Sequence, residues 1–153
     1  MTRKNSKIGI LKYFSSNFYS LASAFDKISV NYQLSENFKD LMNNEKIVIP
    51  GVGNMKYFFS SCSKNQLSSE IKSYIENDGT ILGICLGMQA FLNMSEESNS
   101  ETLGLINGKV ESLKKNFKLY MNVGFRELLL ENQNKTTNKL LNGINKTDKF
   151  YFL

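Results

Sequence analysis

The sequence of 153 residues contains no histidine at all. This absence excludes, from within these residues, the usual proton acceptor for a cysteine or serine nucleophile. Cysteine is also scarce: two residues without regular spacing predict no disulfide framework and indicate a reducing, cytoplasmic setting. The apolar runs are far too short to cross a membrane, and the polar start at Met1–Asn5 is not typical of a signal peptide.

The charge balance also lacks a feature that would indicate a nucleic-acid partner. The net charge is +5, but the lysines are scattered singly among polar residues, with no basic cluster interleaved with aromatics. With 41% hydrophobic and 22% charged residues, the composition is typical of a soluble globular chain. The length predicts one domain that can bury a normal core.

Hydrophobic periodicity predicts alternating strands and helices over the first part of the chain. Apolar runs predict strands at Lys7–Leu11, Ser29–Tyr32, Lys46–Ile49 and Ile81–Ile84. Helical spacing predicts three helices with a buried stripe each, formed by Phe18, Leu21, Ala22 and Phe25, by Phe38 and Leu41, and by Leu67, Ile71, Tyr74 and Ile75. Ser35 is the predicted cap of the second helix. For the third helix, Ser63 and Gln66 are predicted to form a capping box and Gly79 to take the left-handed end position. Asn54–Ser61 is interpreted as a linking segment. This alternation predicts an α/β fold with an open, mostly parallel sheet flanked by helices.

Cys85 lies in the most informative stretch of the sequence. A strand precedes it, an apolar helical segment (Met88–Met94) follows it, and Gly83 and Gly87 flank it at the spacing of a nucleophile elbow. Small residues are needed there because the turn is strained, and the helix end favours a thiolate. A free cysteine is more often a buried core residue, but the two glycines favour a nucleophile.

The single proline marks a second candidate element. Pro50–Gly53 follows the third strand, and such a loop can direct backbone N–H groups toward one point. A simple strand-ending turn is the alternative. Because Cys85 follows the next strand, both features are expected at the same edge of the sheet, which favours an oxyanion-binding loop.

The remainder of the chain changes character after Met94. Ser95–Thr102 is a polar, acidic loop, and short strands around glycine turns are predicted within Leu103–Val110 and Asn116–Glu127, with another strand at Leu128–Leu130. Glu131–Lys139 is predicted to be a polar loop. The sequence closes on an aromatic strand at Phe150–Leu153, without a turn or polar tail, which favours an interruption of the domain.

These motifs resemble class I (triad-type) glutamine amidotransferases, above all the glutaminase subunits of imidazole glycerol phosphate synthases. The resemblance covers essentially the whole chain and rests on the segments Asn17 with Ser20, Pro50–Gly53, Gly83–Gln89, Leu103–Val110 and Phe150–Leu153. It implies the flavodoxin-like fold of that family, with residues 1–153 as one amidotransferase domain that is truncated at the carboxyl end. The family places its catalytic His-x-Glu pair directly after the strand that matches Phe150–Leu153.

The sequence departs from the family in two other segments. The first-strand motif Asp-Tyr-Gly-x-Gly-Asn reads Lys12–Asn17 here, and the motif Pro-His-Val-Gly-Trp-Asn-Glu reads Met121–Glu127. The second segment belongs, by the resemblance, to the surface that meets the partner subunit. These changes indicate an altered partner surface.

The resemblance implies a glutaminase reaction with defined residue roles. Cys85 is the nucleophile, and the N–H groups of Leu86 and of Val52 or Gly53 hold the oxyanion after a peptide rearrangement. Gln89 helps to hold the substrate, L-glutamine. The ammonia passes to a TIM-barrel cyclase subunit in a heterodimer of histidine biosynthesis. No cofactor, metal, nucleic acid or membrane is involved. Without a histidine or the paired glutamate, we expect little or no glutaminase turnover from these residues alone.

Two other functions remain open at this point. A paralogous subunit could feed ammonia to another synthase, for example in surface-sugar amination, and the altered Asn122–Arg126 segment supports keeping this alternative. A non-catalytic scaffold could retain the fold without the chemistry, in which case Cys85 reacts with glutamine mimics no faster than Cys62. A thiol-redox protein is less favoured, since the cysteines do not form a Cys-x-x-Cys pair.

Overall fold

A computed structural model of the chain describes residues 8–13, 16–60, 63–117, 122–129 and 139–153. The chain divides into two units, Met1–Glu111 and Ser112–Leu153. Predictions made for the polar start, for Lys7, for Cys62 and for most of the Glu131–Lys139 loop lie outside the described residues.

The first unit is built around a four-stranded parallel sheet. Its strands are β1 (Ile8–Leu11), β2 (Tyr32–Ser35), β3 (Lys46–Ile49) and β4 (Thr80–Gly83), in the order β2-β1-β3-β4. β3 and β4 pair in parallel with Ile49 opposite Gly83, so the two strands end at the same level. The predicted α/β fold with an open parallel sheet is therefore confirmed.

Five helices connect and cover these strands. They are α1 (Phe18–Lys27), α2 (Phe38–Leu41), α3 (Met55–Ser60), α4 (Lys64–Glu76) and α5 (Leu86–Gln89). The core lies between the strands and the helices, and its fully buried side chains include Ile47, Ile49, Leu41, Phe58 and Ile71. The predicted buried stripe of α4 is confirmed at Leu67, Ile71 and Tyr74, whereas Ile75 is 48% exposed.

The second strand lies three residues later than predicted. Ser29 adopts a positive φ of 54°, and the Val30 N–H donates to the Phe25 carbonyl at 2.9 Å. Ser29 and Val30 therefore belong to the turn that ends α1, and the strand begins only at Tyr32. Apolar composition alone does not distinguish a helix end from a strand start.

The starts of α2 and α3 differ from the prediction. Asn37, not Ser35, caps α2: its side chain accepts a hydrogen bond from the Lys39 N–H at 3.2 Å. The predicted linking segment at Asn54–Ser61 contains α3, where the Asn54 side chain accepts from the Lys56 N–H at 2.8 Å. In both places an asparagine side chain supplies the cap that starts the helix.

The end of α4 is organised by Tyr74 and Gly79. Asp78, rather than Gly79, takes the left-handed conformation, with φ of 62°. Gly79 instead lies against the Tyr74 ring, which a β-carbon at this position would overlap. The buried Tyr74 hydroxyl donates to the Asn44 carbonyl at 2.8 Å, and burial raises the pKa of Tyr74. This hydrogen bond ties α4 to the segment before β3.

A small sheet closes the first unit. β5 (Met94–Ser95) pairs with β6 (Ser100–Glu101) and β7 (Lys109–Val110), so the predicted polar loop contains a short antiparallel pair. The strand predicted near Val110 is confirmed.

The described residues of the second unit include a short helix and a strand pair. The helix α6 spans Leu113–Phe117, and β8 (Gly124–Glu127) pairs antiparallel with β9 (Lys149–Phe152). The predicted strands near Glu127 and Phe150 are confirmed. Leu128 and Leu129, in contrast, are not in a strand. Across the pair, the Phe125 and Tyr151 rings meet edge to face with centroids 5.3 Å apart.

Within the described part of the chain, every helix is too short or too polar to span a bilayer.

The Tyr74 hydrogen bond generates a stability prediction. Tyr74→Phe leaves the buried Asn44 carbonyl without this donor, and we expect the free energy of unfolding to fall by about 1–2 kcal/mol, measured by urea denaturation. Tyr57→Phe is the matched control because Tyr57 is 62% exposed; its effect is expected to stay within about 0.5 kcal/mol. Equal effects of the two variants would contradict this account.

Candidate functional site

Cys85 occupies the turn that joins β4 to α5. Its backbone has φ of 52° and ψ of −114°, a conformation that side-chain-bearing residues rarely adopt. Such a conformation costs roughly 1–3 kcal/mol, so the surrounding structure must hold it in place. The Cys85 side chain is exposed and its thiol is free. The sequence-predicted strand-to-helix turn is present, with a reactive group on its outer side.

The flanking glycines are required by close backbone contacts. A β-carbon on Gly87 would overlap the carbonyl oxygen of Ile49, the last residue of β3. A β-carbon on Gly83 would lie 2.6 Å from the Met88 Cα. The Ile84 N–H donates to the same Ile49 carbonyl at 3.0 Å. These contacts pack the turn directly onto the end of β3, as expected for the crowded elbow.

The helix after Cys85 is shorter than predicted. It covers Leu86–Gln89 instead of Met88–Met94, and the chain enters β5 at Met94. The Gln89 N–H donates to the Cys85 carbonyl at 3.0 Å. Because only one helical turn is present, few peptide dipoles are aligned behind Cys85. The predicted support of a thiolate by a helix end is therefore weak in this structure.

The loop Pro50–Gly53 lies against the same turn. An ideal β-carbon on Gly51 would stand 2.6 Å from the Gly87 nitrogen and 2.6 Å from the Leu86 Cβ. Val52 is 39% exposed, and Gly53 has a positive φ of 95°. The structure thus brings together the loop and the cysteine turn, which are far apart in the sequence.

Leu86 and Gln89 are the first and last residues of the single helical turn. The Leu86 side chain is 2% exposed and packs in the core, while its N–H belongs to the helix start, where backbone donors have no partner within the helix. Gln89 is half-buried, one turn beyond Cys85. Val52, Gly53, Cys85, Leu86 and Gln89 therefore all belong to two neighbouring segments at the carboxyl edge of the sheet.

Tyr13 is the residue near this site that the sequence reasoning did not single out. It follows β1, its side chain is 6% exposed, and its hydroxyl donates to the Pro50 carbonyl at 2.5 Å. Tyr13 falls on the tyrosine of the family's first-strand motif, but nothing in that motif indicates a contact with Pro50. Its partner lies 37 positions away, so no local pattern could indicate the contact.

Charged groups at this edge are paired with each other. Lys12, also just after β1, forms an ion pair with Glu36 at 2.9 Å, and this hydrogen bond and charge raise the pKa of Lys12. The Lys12 ammonium also lies 5.5 Å from the centroid of the Phe18 ring. Among the described residues, no group of His, Cys, Asp and Glu side chains could hold a metal ion.

Comparison with known proteins gives consistent similarities. The chain matches the family model of class-I glutamine amidotransferases over residues 9–145. It is 34% identical to the imidazole glycerol phosphate synthase subunit HisH of Prochlorococcus marinus (strain MIT 9211) over 74% of this chain and 54% of that protein. It is 34% identical to subunit HisH 1 of Campylobacter jejuni (strain 81-176) over 95% of this chain and 72% of that protein.

A further relative is subunit HisH of Bacillus licheniformis, 37% identical over 70% of this chain and 51% of that protein. The chain thus spans about half the length of two of these three relatives.

The Gly87 contact generates a prediction about the cysteine turn. In Gly87→Ala the new methyl group would overlap the Ile49 carbonyl, so β3 or the turn must shift. We expect a loss of about 1–3 kcal/mol in the free energy of unfolding, measured by urea denaturation.

Met88→Ala serves as the neighbouring control, because the Met88 side chain is 56% exposed. Its stability is expected to change by less than about 0.5 kcal/mol. A Gly87→Ala protein as stable as the Met88→Ala protein would rule out the crowding argument.

Proposed function

We propose a function from the premise that the chain belongs to the class I glutamine amidotransferase family. The proposed function is that of the glutaminase subunit of an imidazole glycerol phosphate synthase, which takes ammonia from L-glutamine and passes it to a cyclase partner. One observation carries the proposal: an exposed cysteine on a strained turn, with the Pro50–Gly53 loop packed against that turn.

In the proposed reaction, the Cys85 thiolate attacks the side-chain amide carbon of glutamine. A carbon–sulfur bond forms, and the carbonyl oxygen becomes an oxyanion held by the N–H of Leu86 and one N–H from Val52 or Gly53. Loss of one such donor typically lowers the rate by about 100- to 1000-fold. When the oxyanion collapses, the carbon–nitrogen bond breaks and ammonia leaves with an added proton. Water then cleaves the thioester to glutamate.

Proton transfer is the step that these residues supply least well. The departing amine needs a proton, and the attacking water must lose one, which is usually the work of a histidine. The sequence contains no histidine. We therefore separate two properties in this proposal: binding and attack at Cys85, which need the turn and the loop, and repeated turnover, which needs a base.

The domain and the setting follow from the same premise. The family match spans residues 9–145 and so includes parts of both units, which supports a single amidotransferase domain over residues 1–153. Gln89 is proposed to hold the substrate. We propose a cytoplasmic location because a cysteine nucleophile must remain reduced.

The choice of pathway rests on the relatives. Those reported above are subunits of imidazole glycerol phosphate synthase, which favours this assembly over an amidotransferase of surface-sugar amination. A non-catalytic scaffold that retains the fold is the second candidate. The rate at which a glutamine analogue alkylates Cys85, compared with its rate at Cys62, distinguishes the scaffold from an amidotransferase.

The first test uses a chloroketone analogue of glutamine as an active-site label. We expect it to alkylate Cys85 at least about 10-fold faster than Cys62, because Cys85 lies beside the proposed oxyanion-binding loop. Peptide mass spectrometry after timed labelling gives both rates in one sample. Steady-state release of glutamate from glutamine is expected to be absent or barely detectable.

Cys85→Ser is the control, and its labelling is expected to fall to the level of Cys62. Equal labelling of the two cysteines in the parent chain would favour the scaffold. Clear glutamate release that disappears in Cys85→Ala would show that the missing histidine is not limiting.

The partner is tested with the purified cyclase subunit of imidazole glycerol phosphate synthase. We expect a one-to-one complex in gel filtration. Phe125 is 65% exposed in the segment that the family resemblance assigns to the partner surface, so Phe125→Ala is expected to raise the Kd about 10-fold or more.

Leu129→Ala is the control for this interface. Leu129 is 90% exposed but lies outside that segment, so its replacement is expected to leave the Kd within about twofold. If the chain binds an ATP-dependent synthase and does not bind the cyclase, the paralogous amidotransferase function is favoured instead.

A further inference from the structure

Tyr13 connects the end of β1 to the loop that follows β3. Its hydroxyl donates a hydrogen bond to the Pro50 carbonyl at 2.5 Å, and its side chain is 6% exposed. Pro50 is the residue at which β3 gives way to the loop, and Gly51, Val52 and Gly53 follow it directly. A buried hydroxyl therefore holds the first peptide of the proposed oxyanion loop.

The Tyr13 side chain is itself held in place from two sides. Its ring meets the Phe58 ring edge to face, with centroids 4.7 Å apart and planes at 77°, and Phe58 is fully buried in α3. At its backbone, the Tyr13 N–H donates to the Ser16 hydroxyl oxygen at 3.1 Å, and the Ser16 hydroxyl donates to the Tyr13 carbonyl at 2.9 Å. The hydroxyl is thus presented to Pro50 by a fixed ring.

Gly51 lies between Tyr13 and the cysteine turn. An ideal β-carbon on Gly51 would stand 2.5 Å from the Tyr13 hydroxyl oxygen and 2.6 Å from the Gly87 nitrogen. The main chain at Gly51 therefore fills the narrow space between the hydroxyl and the start of α5. A side chain at position 51 would not fit between them.

The hydrogen bond also determines the orientation of a peptide. In a planar trans peptide, the C=O of Pro50 and the N–H of Gly51 point in opposite directions. When the carbonyl is held by Tyr13, the Gly51 N–H must point away from it, and the directions available to the next N–H groups are restricted. Without the hydroxyl, the same peptide can rotate.

We propose that Tyr13 is a positioning residue that orients the Pro50–Gly53 loop for oxyanion binding next to Cys85. This inference rests on the proposed glutaminase function and assigns to it a residue outside the nucleophile turn and the loop. Tyr13 does not touch the reacting atoms; it acts through the Pro50 peptide. Its hydroxyl is therefore expected to affect the attack at Cys85 rather than the access to the thiol.

The test compares two alkylating reagents on Tyr13→Phe. The chloroketone analogue of glutamine places a carbonyl oxygen at the proposed oxyanion site, whereas iodoacetamide needs only an accessible thiol. We expect the rate at which the chloroketone alkylates Cys85 to fall about 10-fold, because the loop donors are misaligned. The fall is expected mainly in the maximal alkylation rate and not in the reagent concentration that gives half of it. The iodoacetamide rate is expected to change less than about twofold.

Tyr74→Phe is the matched control for this test. It also removes a buried tyrosine hydroxyl that donates to a backbone carbonyl, that of Asn44, but this bond lies away from the loop. Tyr74→Phe is expected to leave the ratio of the two Cys85 rates unchanged. If Tyr13→Phe also leaves the ratio unchanged, the positioning role is wrong while the glutaminase function stands. If the parent chain already shows no preference for the chloroketone at Cys85, the glutaminase function fails, and this inference fails with it.

A spectroscopic measurement tests the same contact, first in the unaltered chain and then in Tyr13→Phe. The chain has a single proline, so a carbonyl-¹³C proline label gives one resonance, from Pro50. In the unaltered chain we expect this resonance to shift more when Cys85 is modified by the chloroketone than by iodoacetamide. In Tyr13→Phe, loss of the hydrogen bond is expected to move it upfield. A resonance that does not respond to the chloroketone would overturn the coupling between loop and cysteine.

Discussion

The contact between the Gly87 main chain and the Ile49 carbonyl oxygen is the constraint on which the site depends. It leaves no room for a side chain at position 87 and brings the start of α5 against the end of β3. The Ile84 N–H donates to the same oxygen, so one carbonyl group holds both sides of the turn. Because the turn is held there, Cys85 can keep a positive φ that a less constrained chain would relax.

The sequence could predict the features that depend on local pattern. Continuous apolar runs gave β1, β3 and β4, and the Gly83–Gly87 spacing located the cysteine turn. Predictions were wrong or missing for features that depend on single polar contacts. The shift of β2 arises from the left-handed Ser29, and α3 begins because Asn54 caps it. Gly79 was assigned to a left-handed position. The structure shows a different reason for a glycine there: the Tyr74 ring leaves no room for a side chain. Tyr13 was not predicted, because its hydrogen bond joins two segments without a shared pattern.

The proposed reaction has two separate requirements. Attack on a carbonyl needs a fixed cysteine turn and loop, and both are packed in the first unit through main-chain contacts that leave no room for a β-carbon on Gly51 or Gly87. Proton transfer needs a titratable group such as a histidine. The first requirement therefore depends on backbone and glycine, and the second on a single side chain.

The sheet order has a consequence for the behaviour of the protein at high concentration. Among the described strands, β4 is paired only with β3, so its other edge presents main-chain donors and acceptors. Leu82 and Ile84 on this strand and just after it are 39% and 40% exposed. An edge of this kind is a template for pairing with a strand of another chain, which favours self-association. The strand that leads into the cysteine turn is thus one of the two edges of the described sheet, the other being β2.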